Sequence, residues 1–88
     1  MVILASKITE QVKATDVYFV DNILCVSLND GREIRVAIDK VEWLKWLEKA
    51  TLEQKTKWSI EPGGFAVYWD ELDDGIEICH LLETRSIV

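Results

Sequence analysis

From residue 12 to residue 38 the apolar positions recur at every second place. Val12 to Val20 is rich in Val, Tyr, Phe and Thr, side chains that suit a pleated, half-buried surface. Ile23 to Leu28 sets Leu24, Val26 and Leu28 on one face, and Glu33 to Ile38 does the same with Ile34, Val36 and Ile38. Asp21-Asn22 supplies the first turn. Asn29-Asp30-Gly31 supplies the second, because Gly reaches positive φ without steric cost. The opposite side of the hairpin carries Cys25, Ser27, Arg35 and Ala37 and is less thoroughly apolar. One-sided alternation of this kind predicts a three-stranded antiparallel meander with one covered face.

The period then changes. Asp39 is placed to cap a helix, with Glu42 three residues on as its capping-box partner. Trp43, Leu44, Trp46, Leu47 and Ala50 fall within an arc of ~160° at a helical 100° per residue, while Lys40, Lys45, Glu48 and Lys49 lie outside it. The pattern predicts an amphipathic helix of about three turns that covers the meander. Thr51 with Gln54 repeats the capping-box spacing and predicts a second, short helix.

Two short strands follow, Trp58 to Ile60 and Phe65 to Trp69, joined by the turn Glu61-Pro62-Gly63-Gly64. Alternation would turn Phe65, Val67 and Trp69 to one side. Ile76 to Ile78 is compatible with a last strand or with the lead into a short helix through His80, Leu81 and Leu82. The fold class expected is therefore two-layer α+β: a meander, an amphipathic helix and a shorter one, two or three short strands and a terminal helix. No repeat or linker interrupts the chain, so 1–88 is read as one domain with frayed ends at 1–6 and 84–88.

Composition narrows the function classes. The chain has 88 residues, 49% hydrophobic and 30% charged, a globular balance that leaves no room for a second core. A chain of this length buries only about 60–65% of its unfolded surface, so a marginal monomer and a homodimer are both open. Lys and Arg number 10 against 16 Asp and Glu, for a net charge of −6. That balance argues against nucleic-acid binding by the free chain, which needs cations to neutralise phosphates, and against an anionic membrane surface. No stretch approaches the ~20 apolar residues of a membrane span, and Val2-Ile3-Leu4-Ala5 is too short for a signal sequence. Cys25 and Cys79 lie far apart and are read as reduced thiols, which points to the cytoplasm.

The charge is unevenly spread. Residues 1–50 carry 7 bases and 8 acids, residues 51–88 carry 3 bases and 8 acids. Asp70, Glu71, Asp73, Asp74 and Glu77 concentrate the excess directly after Tyr68-Trp69. As a calcium loop this stretch fails, since an EF-hand counted from Asp70 would need an oxygen ligand where Leu72 stands and Glu where Leu81 stands. Cys79 and His80 are adjacent in sequence, so their side chains diverge on either a strand or a helix and form no nucleophile–base pair. Nucleophile-elbow, phosphate-loop and dinucleotide motifs are missing from the sequence. Enzyme activity, a cofactor and a metal are not expected. Four Trp in so short a chain is many. Trp43 and Trp46 fit the covered face of the helix, whereas Trp69 is open to core packing or to a role as interface anchor beside the carboxylates.

Val12, Ala14, Asp16-Val17, Phe19, Leu24, Val26, Leu28 and Asp30-Gly31-Arg32 together resemble the opening of the bacterial domain-of-unknown-function family 2442. Ala50-Thr51, Glu53-Gln54, Trp58, Gly64-Phe65 through Trp69, Glu71-Leu72-Asp73 and Leu81-Leu82 resemble its second half. The chain departs from the family pattern at Asp70, where a Pro is usual, at Gly75, where an acid is common, and at Ala37, where a Pro is common. The resemblance implies a small α+β fold and brings no catalytic residues. Members are often encoded beside a small protein of domain-of-unknown-function family 4160, and the resemblance implies an antitoxin-like role in such a pair.

The function expected is thus a non-enzymatic protein-interaction module for a small basic partner. Its expected docking residues are Tyr68, Trp69, Asp70, Glu71, Asp73, Asp74 and Glu77. Two alternatives stand beside it: a small-ligand or cation-binding module at a homodimer interface, and a DNA-operator autoregulator acting only with its partner.

Overall fold

A computed structural model describes residues 12–84. Strands β1 (Ala14–Val20), β2 (Ile23–Leu28) and β3 (Glu33–Ala37) form one antiparallel sheet in that order. Val20 pairs with Ile23 across the two-residue turn, where Asp21 takes φ 54°. Short polar side chains tolerate this left-handed conformation, and it matches the twist of the two strands. A bulge between Ala14 and Asp16 shifts the register. It changes the phase of β1, so that Ala14 and Val17 are both buried, three positions apart. Leu24, Val26, Leu28 and Val36 are buried on the face the alternation predicts.

The cover is wound differently from the expected three-turn helix. It consists of two 3-10 turns, Ile38–Lys40 and Glu42–Leu44, and one α turn, α1 (Lys45–Glu48). Val41 lies between them in an extended conformation, φ −114° and ψ 116°. The reason is visible in the burial. Ile38, Val41, Leu44 and Leu47 are spaced by three and all buried. A 3-10 winding stacks such a row along one edge, whereas an α-helix would spread it around half its circumference. No side chain caps either 3-10 turn, so the Asp39–Glu42 capping box does not form, and the Asp39 carbonyl accepts from Lys45 Nζ instead (3.1 Å). The Thr51–Gln54 box does form at the start of α2 (Leu52–Lys55): Thr51 Oγ1 accepts from the Gln54 amide (3.1 Å), and Gln54 Oε1 accepts from the Thr51 amide (3.0 Å).

Strands β4 (Trp58–Ile60), β5 (Ala66–Trp69) and β6 (Asp74–Glu77) make a second antiparallel sheet, again in chain order. Helix α3 (Ile78–Thr84) follows β6 without a loop, so residues 76–82 are strand and then helix. The β4–β5 turn closes through the Gly64 amide on the Glu61 carbonyl (2.8 Å). Gly64, at φ 78°, also joins the two sheets: its carbonyl accepts from the Ala14 amide (2.7 Å), and a Cβ there would lie 2.8 Å from Lys13 Cβ. Glycine alone meets both demands.

Both sheets, α1 and α3 bury their apolar faces in one core, which contains Leu24, Ile38, Leu44, Val67, Trp69 and Leu81. Among the described residues no helix is long and apolar enough to cross a membrane. Position 84 closes α3; the rest of the ends read as frayed, 1–6 and 85–88, lies outside the described residues.

Candidate functional site

Residues 12–57 carry eight acids and eight bases, while residues 58–83 carry seven acids and neither Lys nor Arg. Among the described residues the second sheet and α3 therefore hold the excess negative charge, and residues 12–57, the meander together with its helical cover, are electrically balanced. Within this acidic part the expected docking segment, read from sequence as an acidic loop after an aromatic strand, has regular structure instead. Asp70–Leu72 is a 3-10 turn, Asp73 caps it in the left-handed region (φ 51°, ψ 44°), and Asp74 to Glu77 is the edge strand β6. Carboxylates on an edge strand discourage further strand pairing.

The side chains of this segment divide into three groups. Trp69 is fully buried (0% exposed), with its indole N–H donating to the Lys55 carbonyl at 3.0 Å and its ring edge-on to Trp46 at 5.8 Å. This corrects its expected place among the docking residues. An indole sealed in the core, with its one donor satisfied internally, has no face to offer a partner. Tyr68 is half-buried and also engaged. It pairs across the strands with Gly75, and its ring lies against that residue: a Cβ at position 75 would stand 2.9 Å from Tyr68 Cδ1 and 2.7 Å from the Val67 carbonyl oxygen. The missing Cβ at Gly75 is thus what lets Tyr68 fold over β6. The Tyr68 hydroxyl donates to Asp73 Oδ1 at 2.6 Å, and this bond to a carboxylate pushes the phenol up to about 12.

Glu71 accepts from Lys57 Nζ at 2.9 Å, and Glu53 lies 3.4 Å from the same ammonium. The two carboxylates, Glu71 foremost, hold Lys57 above its usual range. Asp74 Oδ1 accepts from the Gly75 amide (2.8 Å). Asp70, Asp74 and Glu77 remain as exposed carboxylates on one turn and one edge. Among the described residues no three His, Cys, Asp or Glu side chains converge as a metal-holding group.

A groove of about 550 Å³ lies at the other end of β6, between the start of β5 and α3. Val12, Phe65, Ile78, Cys79 and Leu82 supply apolar wall, and Glu77 and Glu83 supply its carboxylates. Sequence alternation turned Phe65 to the same side as Val67 and Trp69. The strand begins only at Ala66, so Phe65 leaves the glycine turn 49% exposed, with Lys13 Nζ 5.6 Å from its ring centre. Glu77 is the one expected docking residue on this groove. The others named there carried no sequence signal beyond the two glycines that end the turn.

Two more clusters involve chemistry-bearing residues. His80 stacks flat on Trp43, rings 4.2 Å apart at 8°, which ties α3 to the turn before α1. On the outer face of the meander the Tyr18 hydroxyl bonds the Glu33 carboxylate (2.8 Å) and Arg35 Nε donates to it (2.9 Å). Cys25 is buried beside this group, and burial pushes its thiol up, away from reactivity. Cys79 is exposed, and both cysteines are free.

Architecture and site define a small α+β protein of two three-stranded antiparallel sheets around one core, with an acidic second half. The family described as "Protein of unknown function (DUF2442)" matches residues 14–85, and the chain belongs to that family. It is similar to the crystal structure of a protein of unknown function from Rhodospirillum rubrum, with TM-score 0.70 and 18% identity over 84% of this chain and 88% of that one. It is also similar to the solution structure of an uncharacterized protein from Chromobacterium violaceum, with TM-score 0.71 and 24% identity over 93% of this chain and 74% of that one. At these identities the likeness shows the fold. No curated protein matches the chain.

Proposed function

We propose that the chain is a non-enzymatic protein-interaction module of the cytoplasm, an antitoxin-like partner of a small basic protein. The observation that carries this reading is the segregation of charge: seven acids and no Lys or Arg across residues 58–83, against a balanced remainder. A one-signed surface steers an oppositely charged partner and rejects like-charged ones. The exposed carboxylates of Asp70, Asp74 and Glu77 supply the docking charge, while Glu71 and Asp73 are committed to Lys57 and Tyr68. Two free thiols fit a reducing compartment.

The test is co-purification with the small protein encoded beside this one, followed by titration of the pair at several salt concentrations. Asp70→Lys with Asp74→Lys reverses charge without touching the Tyr68–Asp73 bond. The double variant should bind at least tenfold more weakly and show a flatter salt dependence, with an unchanged circular dichroism spectrum. Binding equal to wild type at low salt would refute the electrostatic reading.

A further inference from the structure

Among the described residues an apolar groove stands open beside α3. Its walls bring together the half-exposed Phe65, the exposed Cys79, and Leu82 from the second turn of α3. Its volume lies within the ~300–1,000 Å³ of ordinary binding pockets. Its charged lining residues are the carboxylates Glu77 and Glu83.

We propose that this groove receives an amphipathic basic segment of another protein. One or two large apolar side chains enter between Phe65 and Leu82, and flanking Lys or Arg side chains meet Glu77 and Glu83. The inference rests on the interaction-module reading above and moves the anchoring part of the surface from Trp69 to this groove. Three features carry it. An apolar floor alone would accept any greasy segment, but among the described residues the exposed lining carboxylates of Glu77 and Glu83 outnumber the one ammonium at the groove, Lys13 over Phe65, and so favour a cationic segment. Apart from Val12 the groove's lining comes from residues 58–83, which carry seven acids and no Lys or Arg, so the long-range field favours the same sign of partner. A second copy is disfavoured by the same charge: a two-fold contact through this face would set Glu77 and Glu83 against their own counterparts.

The test uses the full chain and three fluorescent 14-residue peptides: an amphipathic Leu/Lys helix former, its Leu/Glu counterpart, and a Ser/Lys peptide of the same charge without an apolar face. Anisotropy reads binding. Alkylation of Cys79 by N-ethylmaleimide, followed by mass spectrometry, reads location, because Cys25 is buried and Cys79 lies on the groove wall. The Leu/Lys peptide is expected to bind saturably and to slow Cys79 alkylation at least tenfold, and the other two peptides to do neither. Glu77→Gln with Glu83→Gln should weaken it at least tenfold, and prior alkylation of Cys79 should block it. Asp70→Lys with Asp74→Lys should leave Cys79 protection in place. Four results overturn the proposal: peptide binding that leaves Cys79 unprotected; loss of binding in the Asp70/Asp74 variant but not in the Glu77/Glu83 variant; Cys79 protection that rises with protein concentration alone, which assigns the groove to a second copy; and binding that appears only after residues 1–10 are removed, which assigns it to the chain itself. The second of these leaves the interaction-module reading intact. If the neighbour-encoded protein also fails to co-purify, that reading falls separately.

Discussion

The two sheets have the same strand count and the same up-and-down order, yet they are held by different means. In the meander the strands run to seven, six and five residues, with register set by turns of two to four residues. Its charges are settled locally: Asp30 pairs with Arg32 at 2.8 Å and Glu33 with Arg35 at 2.9 Å. In the second sheet the strands are three, four and four residues long. Such strands have too little ladder to stand alone. They depend on groups that reach out of the sheet, chiefly Trp69 to the Lys55 carbonyl and Gly64 to Ala14. The difference teaches that the half bearing the acidic surface is the half whose order is borrowed from the rest of the molecule.

The strongest way to break this comparison is Trp69→Ala. Loss of a fully buried indole should cost about 3–5 kcal/mol in urea unfolding. Because the two sheets share one core, a single transition is expected, shifted to lower urea. Two transitions, with the meander surviving, would show that it is independent of its partner sheet.

Gly75→Ala comes next. The new Cβ would meet the Val67 carbonyl at 2.7 Å, so β5 and β6 must part or Tyr68 must swing away, at a cost of about 1–3 kcal/mol. Thermal unfolding measures it, and a neutral result would mean that the second sheet is more pliant than its hydrogen bonds indicate. Thr51→Ala removes one side of the capping box and should cost about 1 kcal/mol, without changing the acidic surface.

The smallest effect is on pH dependence. The Tyr68 phenol ionises ordinarily at 10.0 and is pushed to about 12 by Asp73. The folded state therefore holds this proton more tightly than the unfolded chain does. The stabilisation is fully present below pH 10 and is lost as pH rises through about 12. An absorbance titration at tyrosinate wavelengths should show Tyr68 ionising late, and Asp73→Asn should bring it back toward 10. Tyr18, raised by Glu33 on the other sheet, should be unaffected by that substitution.

Much of the fold was legible because it is written in near neighbours. The alternation of Leu24, Val26 and Leu28 needs only a period of two. The turns at Asp21-Asn22 and Gly31 need only local backbone freedom, and Thr51–Gln54 needs only a three-residue reach. The winding of residues 38–47 was harder. An α-period arc through Trp43 and Trp46 competes there with a row at spacing three, Ile38, Val41, Leu44 and Leu47, and burial decided for the row. The acidic surface was legible as composition. Its division into committed and exposed carboxylates was not, because Lys57 and Tyr68 had first to be brought to Glu71 and Asp73.

Periodicity, turn chemistry and charge counts thus determine that this chain is a small α+β domain whose meander and cover together are charge-balanced and whose second sheet is acidic. They act between residues close along the chain, where geometry is nearly set by covalent structure. Packing alone settled that Trp69 is sealed inside, that Phe65 is left outside, and that an apolar groove opens between Phe65 and α3. Those outcomes depend on which surfaces meet across the core. Trp69 meets Trp46 and Lys55 from elements more than a dozen residues away, and alternation along one strand carries no record of such a meeting.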